Sequence, residues 1–235
     1  MAVNHTYGTV TASNGVKLAY IKTSPRNVRP CYLKPAKTIP NSTNFGVNGG
    51  FFNLGSQNLL SIAVANGVGV GENGNNDFNS GWYNCDYARG TLVWDNADSK
   101  YQIVVTKYAS EISVKSWTGS WAQGGISMWL QITDDNQFKK LAGDENMPNI
   151  TGGENRTGLV YGTGGNIWLV VSISTCTALA FRDAIKKSIG SGTVVDGIFL
   201  DGGGSTQMKC NELSYGGNLT PNRLIPEMVM LIDKT

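Results

Sequence analysis

The feature that most constrains this chain is an apolar, strand-like run that ends in one carboxylate and three consecutive glycines. Residues 194–200 are mostly apolar, Asp201 follows them, and Gly202, Gly203 and Gly204 come next. Each glycine costs about 0.5–1 kcal/mol relative to alanine inside a regular element, so three together are expected where the backbone curves tightly or approaches a ligand closely. Successive N–H groups in such a turn can form an anion-binding nest. The sequence therefore predicts a site at the end of this strand, with Asp201 as its carboxylate.

A turn-rich composition and short apolar runs indicate a chain built mainly from β-strands. Of 235 residues, 30 are glycine and only 15% are charged, whereas about a quarter is usual in globular proteins. Asn14 with Gly15 and Asn66 with Gly67 are dipeptides typical of tight hairpin turns. The strand-like runs lie at residues 16–21, 45–47, 59–64, 90–94, 101–106, 126–132, 159–161, 167–172, 194–200 and 228–232. We therefore predict one α+β domain over residues 1–235, with mostly antiparallel or mixed β-sheet, few helices, and its site at strand ends.

One helix and one long polar loop also stand out. In residues 177–189, Phe181, Ile185 and Ile189 recur every four positions with charged residues between them, which is helical periodicity. Gly190 then provides a helix stop. Residues 71–81 are polar and aperiodic, so we expect a surface loop there.

Charge, histidine and cysteine content exclude several classes of function. The net charge is only +2 and there is no extended Lys/Arg cluster, so nucleic-acid binding is not expected. The single histidine, His5, leaves no further imidazole to act as the base of a Ser-His-Asp triad. The cysteines have no Cys-x-x-Cys spacing of the kind that binds zinc, and both buried free thiols and disulfide pairing remain open for Cys31, Cys85, Cys176 and Cys210. We predict neither a metal nor another cofactor.

The sequence also bears on location. No apolar run approaches the roughly 18 residues that cross a membrane, and no signal-peptide pattern is visible near the start. We therefore expect no membrane span. Low charge with many Asn, Ser and Gly residues is common in secreted and virion proteins, so an extracellular or virion-associated location is favoured over the cytoplasm. Nothing in the sequence indicates an oligomeric state.

Four glycine-containing motifs occur in a fixed order along the chain. They are Asn48-Gly49-Gly50-Phe51-Phe52, Gln123-Gly124-Gly125, Arg156-Thr157-Gly158 and Asp201-Gly202-Gly203-Gly204-Ser205-Thr206. In this order and spacing they resemble the motifs of the phosphodiester glycosidase family, and the resemblance spans roughly residues 15–233. One departure is clear: where the family usually has an Asp-Gly pair after the hairpin, this chain has Ser172 and no acid.

The resemblance implies hydrolysis of a sugar–phosphate diester at the anomeric carbon, a type of reaction that ordinarily uses two carboxyl groups. Asp201 would be the nucleophile or base, Arg156 would bind phosphate oxygens, and Asn48 would orient the sugar or the attacking water. Glu154 and Asp196 are reserve acids, although Asp196 lies five residues before Asp201 and so on the opposite face of a regular strand. The remaining substrate contacts implied are Gly49, Gly50, Gly125, Thr157, Gly202, Gly203, Gly204, Ser205 and Thr206.

Structural roles and other functions stay open beside this interpretation. Asp201 could be a turn aspartate, Arg156 a surface charge, and Asn48 a group that satisfies backbone atoms of its turn. The favoured substrate is a glycosyl-phosphate of a microbial surface glycan, such as a wall or capsule polymer. One alternative is a non-catalytic glycan-binding module on the same scaffold, such as a phage adhesion component, which the missing acid at Ser172 motivates. The other is a hydrolase of nucleotide-like phosphodiesters.

Overall fold

The structure, a computed structural model, describes residues 4–72 and 78–235. The middle of the loop predicted at 71–81 therefore lies outside the described residues.

The two α-helices are α1 (Asp135–Asp144) and α2 (Ala178–Ser188). The strands are β1 (His5–Thr11), β2 (Lys17–Thr23), β3 (Val28–Lys37), β4 (Gly46–Asn48), β5 (Ala63–Ala65), β6 (Val68–Gly69), β7 (Arg89–Asp95), β8 (Lys100–Thr106), β9 (Trp121–Gly124), β10 (Ile126–Ser127), β11 (Thr157–Gly162), β12 (Ile167–Ser172), β13 (Val194–Phe199), β14 (Met208–Lys209), β15 (Ser214–Tyr215) and β16 (Ile225–Leu231).

These strands form three sheets, and the strand pairs in the described part of the chain are all antiparallel. A six-stranded sheet has the order β1-β2-β12-β11-β13-β10. The two five-stranded sheets have the orders β15-β14-β4-β16-β3 and β6-β5-β9-β7-β8. The predicted α+β class with mostly antiparallel sheet is confirmed.

The six-stranded sheet separates two apolar cores because its central strands alternate their side chains between faces. In β12, Ile167, Leu169 and Val171 join the core shared with the two five-stranded sheets. Trp168 and Val170, between them, join the core covered by α1 and α2. Strands that are apolar on both faces are therefore sandwiched, which explains their near-continuous hydrophobic runs.

The helices cover one face of the six-stranded sheet. The predicted helix forms as α2 and buries Phe181 and Ile185. Helix α1 was not predicted from the sequence. Asp134 caps its first turn by accepting hydrogen bonds from two backbone N–H groups, and Phe138 and Ala142, one turn apart, are its buried residues. Two apolar positions make a weak periodic signal, which accounts for the omission.

The strand predicted at 126–132 is mostly wrong. Only β10 forms, because Trp129 adopts a left-handed φ of 51° and reverses the chain. Arg182 on α2 stabilises the reversal by donating to the carbonyl oxygens of Met128 and Trp129, both at 2.6 Å.

Three further observations concern the predicted cofactors, thiols and membrane span. Among residues 4–72 and 78–235, no helix has the length and apolar character needed to cross a membrane. The four cysteines are free thiols, which decides between the alternatives left open by the sequence. No group of three or more metal-ligating side chains comes together within those same ranges.

Candidate active site

Three strand ends bring the predicted motifs together. Strand β4 ends at Asn48, β13 ends two residues before Asp201, and the antiparallel β11 begins at Thr157, beside the end of β13. The Asp201 N–H donates to the Gly49 carbonyl oxygen at 3.1 Å, and the Leu200 N–H donates to the Thr157 carbonyl oxygen at 2.9 Å. The backbone therefore places three of the four motifs side by side.

Asn48 connects these strand ends with its side chain. Its Oδ1 accepts from the Thr157 hydroxyl at 2.8 Å and from the Gln207 N–H at 3.1 Å. Its Nδ2 donates to the carbonyl oxygens of Asp201 at 2.8 Å and Gly49 at 3.2 Å. Because Asn48 is buried and these four bonds use its full hydrogen-bonding capacity,, the structure favours the backbone-satisfying role over contact with a sugar.

The glycine turn offers fewer free N–H groups than the sequence suggests. Gly203 has a left-handed φ of 57°, a conformation that glycine adopts without strain. The Gly203 N–H donates to the Asn155 carbonyl oxygen at 2.7 Å, and the Gly202 N–H donates to Asp201 Oδ1 at 3.0 Å. Two of the three predicted anion-binding donors are thus engaged, so a bound phosphate would depend on side chains.

Asp201 is half-buried in this turn. Its pKa is raised to about 6, mainly by burial and to a smaller extent by the charge of Glu154, while the Ser205 hydroxyl, the Arg223 charge and the Gly202 N–H oppose the rise. A carboxyl that titrates near neutrality in a strand-end turn is suited to taking and releasing a proton. Asp201 therefore has the environment of a reacting group.

Glu154 supplies a second carboxylate beside this turn. A Cβ atom on Gly203 would lie 3.2 Å from Glu154 Oε2, and a Cβ atom on Gly202 would lie 3.7 Å from Glu154 Oε1. The Glu154 side chain is 26% exposed and pairs with Arg156 Nη1 at 2.8 Å. Of the two reserve acids, Glu154 is the one that lies next to Asp201.

Arg156 is not the free phosphate-binding cation that the resemblance implies. Its guanidinium is buried and donates to the carbonyl oxygens of Asn149 at 2.7 Å, Gly152 at 2.9 Å and Cys176 at 3.3 Å. Together with the Glu154 pair, these contacts use most of the five N–H donors. Arg156 therefore holds the 149–154 loop and orients the carboxylate that this loop carries.

Arg223 is the cation that faces the turn, and sequence reasoning did not single it out. It is half-buried, and its Nη1 donates to the Ser205 hydroxyl at 2.9 Å. Its Nη2 would lie 3.1 Å from a Cβ atom on Gly204. The one sequence signal for it is its position shortly before the strand predicted at 228–232, which forms as part of β16 and pairs with β4.

The predicted hydroxyl contacts are buried within the protein. Thr157 donates to Asn48 and Ser205 accepts from Arg223. Thr206 Oγ1 is buried and has no hydrogen-bond partner in the part of the chain that the structure describes. Of the three hydroxyls, Ser205 is the one linked to both Asp201 and the facing cation.

The two other acid positions do not contribute a carboxylate here. Asp196 accepts from the N–H groups of Leu130 at 3.0 Å and Gly197 at 2.8 Å, and so stabilises the reversal near Trp129. Ser172, at the place where the family usually has an acid, accepts from the Arg156 N–H at 2.7 Å. None of these bonds involves Asp201 or the glycine turn.

The predicted substrate-binding glycines Gly49, Gly50 and Gly125 allow close packing instead. A Cβ atom would lie 1.7 Å from Glu227 Oε2 at Gly49, 2.5 Å from the Ser61 Cβ at Gly50, and 2.0 Å from the Phe199 carbonyl oxygen at Gly125. Real Cβ contacts are never this short. These glycines therefore let neighbouring strands approach the site.

Gly125→Ala tests this packing role. The methyl group would meet a backbone oxygen of β13 at 2.0 Å, so we expect a loss of about 3 kcal/mol in the free energy of unfolding, at the upper end of overpacking costs. Gly143→Ala, in α1, has no atom within 4 Å of the added Cβ and should instead stabilise by about 0.5–1 kcal/mol. Urea unfolding of both variants checks the two signs, and equal effects would contradict the packing role.

Comparisons with known proteins fit this geometry. The family model described as phosphodiester glycosidase matches residues 41–232. The catalytic domain of zebrafish N-acetylglucosamine-1-phosphodiester alpha-N-acetylglucosaminidase, auto-inhibited by its pro-peptide, has 14% identity and a TM-score of 0.63 over 99% of this chain and 84% of that chain. A hypothetical protein from Synechocystis has 13% identity and a TM-score of 0.50 over 96% of this chain and 61% of that chain. At these identities the two structures show a shared fold. No curated protein matches the sequence.

Proposed function

Because this chain belongs to the phosphodiester glycosidase family and is a phosphodiester glycosidase-like hydrolase, we propose that it cleaves a glycosyl-phosphate diester at the anomeric carbon. The observation that carries the proposal is the convergence of Asp201 and Glu154 on the glycine turn, with Arg223 beside them. Glycosidases ordinarily use two carboxyl groups of this kind. In this proposal Glu154 is the second carboxyl group, which position 172 does not supply.

In the proposed step, the bond between the anomeric carbon and the phosphate oxygen breaks, and its electron pair leaves with the phosphate. A water oxygen becomes bonded to the anomeric carbon, and the water proton passes to a carboxylate. Since a phosphate leaving group is already weakly basic, it needs little help from a general acid. Asp201 acts in its ionised form at the anomeric centre, and Glu154 is the second carboxylate.

The two arginines near the turn, Arg223 and Arg156, have different roles in this proposal. Arg223 faces the turn and offers guanidinium donors to phosphate oxygens, a geometry suited to planar, charge-assisted recognition. Arg156 holds Glu154 in place through its contacts with the carbonyl oxygens of the 149–154 loop and the 2.8 Å ion pair. The phosphate would therefore lie beside the Arg223 guanidinium, next to the place where Leu219 packs against Gly204.

For the substrate we retain a glycosyl-phosphate of a microbial surface glycan. The low charge content and the lack of a basic cluster support a neutral or phosphorylated glycan over nucleic acid,. The name of the zebrafish relative describes an N-acetylglucosamine-1-phosphodiester, so N-acetylglucosamine linked through phosphate to a small alcohol is the first substrate to test. The binding-module and nucleotide-phosphodiester alternatives become outcomes of that test.

The experiment is hydrolysis in heavy-oxygen water. The protein is incubated with the N-acetylglucosamine phosphodiester and, separately, with a nucleotide sugar. The masses of the products are then measured by mass spectrometry. We expect free sugar and an unlabelled phosphomonoester from the first substrate, because the carbon–oxygen bond breaks. Heavy oxygen in the phosphate would mean cleavage at phosphorus and would contradict the proposal. Binding without turnover of any sugar phosphate would favour the binding module.

A further inference from the structure

Glu227 is a carboxyl group buried directly beneath the Asn48–Gly50 turn, and the proposed reaction does not use it. It lies on β16, 3% exposed. Its Oε2 accepts from the Gly50 N–H at 2.7 Å, and its backbone oxygen accepts from the Gly49 N–H at 2.9 Å. The carboxyl fills the space where a side chain at Gly49 would begin, 1.7 Å from the Cβ position. One residue thus holds two successive amides of the turn.

The surroundings of this carboxyl contain no compensating cation. In residues 4–72 and 78–235, no Lys or Arg forms an ion pair with Glu227. Its second neighbour is the Gln123 amide, whose Nε2 lies 3.5 Å from Glu227 Oε2 and also faces the Ile62 and Gly124 carbonyl oxygens. Glu227 Oε1 and Gln123 Oε1 are both buried without a partner among the described residues.

An unpaired carboxylate in such a pocket is strongly disfavoured, whereas a neutral carboxylic acid is tolerated. Burial raises the pKa of Glu227 to about 8, and the bonds from Gly50 and Gln123 only partly oppose the rise. The titratable group that interacts with it is the Cys31 thiol on the adjacent strand, whose own pKa is raised mainly by burial. Burial and the lack of an ion-pair partner among the described residues both favour the protonated form of Glu227 at neutral pH.

We propose that Glu227, as a neutral carboxylic acid, is a positioning residue that holds the Asn48–Gly50 turn against Asp201. The connection is short, because Gly49 accepts from the Asp201 N–H at 3.1 Å and Asn48 donates to the Asp201 carbonyl oxygen at 2.8 Å. Ionising Glu227 places an unpaired charge under this turn, and hydrating that charge requires the turn to open. The inference rests on the proposed function for its kinetic consequence, but not for the protonation state itself.

The first measurement is infrared spectroscopy of the intact protein at pH 7, without substrate, where Asp201, with a pKa of about 6, is mostly ionised and Glu227, with a pKa of about 8, is mostly protonated. We expect a carbonyl stretch of a protonated carboxylic acid that disappears in Glu227→Gln and persists in Glu212→Gln, an exposed control with the same chemical change. The band should titrate away in the wild type around pH 8, at the pKa of Glu227. If no such band exists at pH 7, or if Glu227→Gln leaves it unchanged, the proposal is overturned whatever the activity.

The second measurement is the pH profile of kcat for the sugar phosphodiester. We expect wild-type kcat to fall about tenfold per pH unit above about pH 8, while Glu227→Gln retains the plateau there, because the amide stays neutral and can still accept from Gly50. Glu212→Gln should keep the wild-type profile. An unchanged alkaline limb in Glu227→Gln would contradict the positioning role. If wild-type protein has no activity on any sugar phosphate, the proposed function fails while the infrared result still tests Glu227.

Discussion

Replacing Asp201 with asparagine is expected to lower kcat by on the order of a thousandfold while the protein stays folded. Asparagine has nearly the same shape, so its Oδ1 can still accept the Gly202 N–H bond seen at 3.0 Å. The variant loses the ability to take a proton from water or to attack the anomeric carbon. Sugar release at saturating substrate checks the rate, and thermal unfolding checks the fold.

The fold should not suffer from this change. Because burial raises the pKa of Asp201 from 3.8 to about 6, the folded wild type binds a proton that the unfolded chain releases in this window, and its stability falls as pH rises from about 4 to about 6. Asp201→Asn lacks this dependence and should be no less stable above pH 6. Asp144→Asn, an exposed residue paired with Lys140 at 2.7 Å, is the matched control and should keep wild-type kcat. A folded Asp201→Asn protein with normal turnover would exclude Asp201 as the reacting carboxyl.

The pH dependence of kcat/KM should show whether the charge of Glu154 acts on Asp201. If Asp201 works ionised, activity rises with pH through an acidic limb near its pKa of about 6. The charge of Glu154 contributes to that raised pKa, so Glu154→Gln should move the limb to lower pH as well as slow the reaction. Asp144→Asn again serves as the control, with the limb unmoved. A limb that stays in place in Glu154→Gln would mean that the two carboxyl groups do not interact.

The parts of the fold that could be predicted were those whose signal is local. Helix α2 repeats apolar residues every four positions, and β12 is a short run that is apolar on both faces. Each pattern therefore predicts its own secondary structure. Strand β3 escaped prediction because Pro30 and Pro35 interrupt it, and proline is tolerated there since β3 is an edge strand,. Edge position is a property of the sheet, which a single strand's sequence does not contain.

The candidate site divides in the same way. That Asp201 would follow a strand and precede a tight turn could be read from consecutive residues. Arg156 donates to the carbonyl oxygens of residues 149 and 152 because the folded loop places them beside its guanidinium. Their position depends on tertiary structure, so the sequence alone does not show whether Arg156 is free to bind a ligand. Arg223 reaches the turn because β16 returns beside β4. The resemblance implies a phosphate-binding arginine at position 156, whereas our proposal gives that role to Arg223, because the Arg156 donors are engaged within the protein.

The two arginines should therefore respond differently to substitution by glutamine. Arg223→Gln removes the cation that faces the turn, and we expect kcat/KM to fall on the order of a hundredfold, as for loss of one transition-state donor. Because the Arg223 charge lowers the pKa of Asp201, the acidic limb should move to higher pH, opposite in sign to Glu154→Gln. Inhibition by the phosphomonoester product should weaken in parallel. Stability should change little, since Arg223 is half-buried and its guanidinium donates to a single hydroxyl, that of Ser205.

Arg156→Gln should instead act mainly on the fold. Its guanidinium is buried, and its removal takes a donor from three carbonyl oxygens and the ion-pair partner from Glu154. Breaking a buried pair from one side costs about 3–5 kcal/mol, which urea unfolding can measure directly. Any loss of activity should follow from displacement of Glu154, so product inhibition in the folded fraction should stay near the wild-type value. A stable Arg156→Gln protein that has lost only phosphomonoester binding would contradict this assignment. It would mean that Arg156, and not Arg223, binds the phosphate.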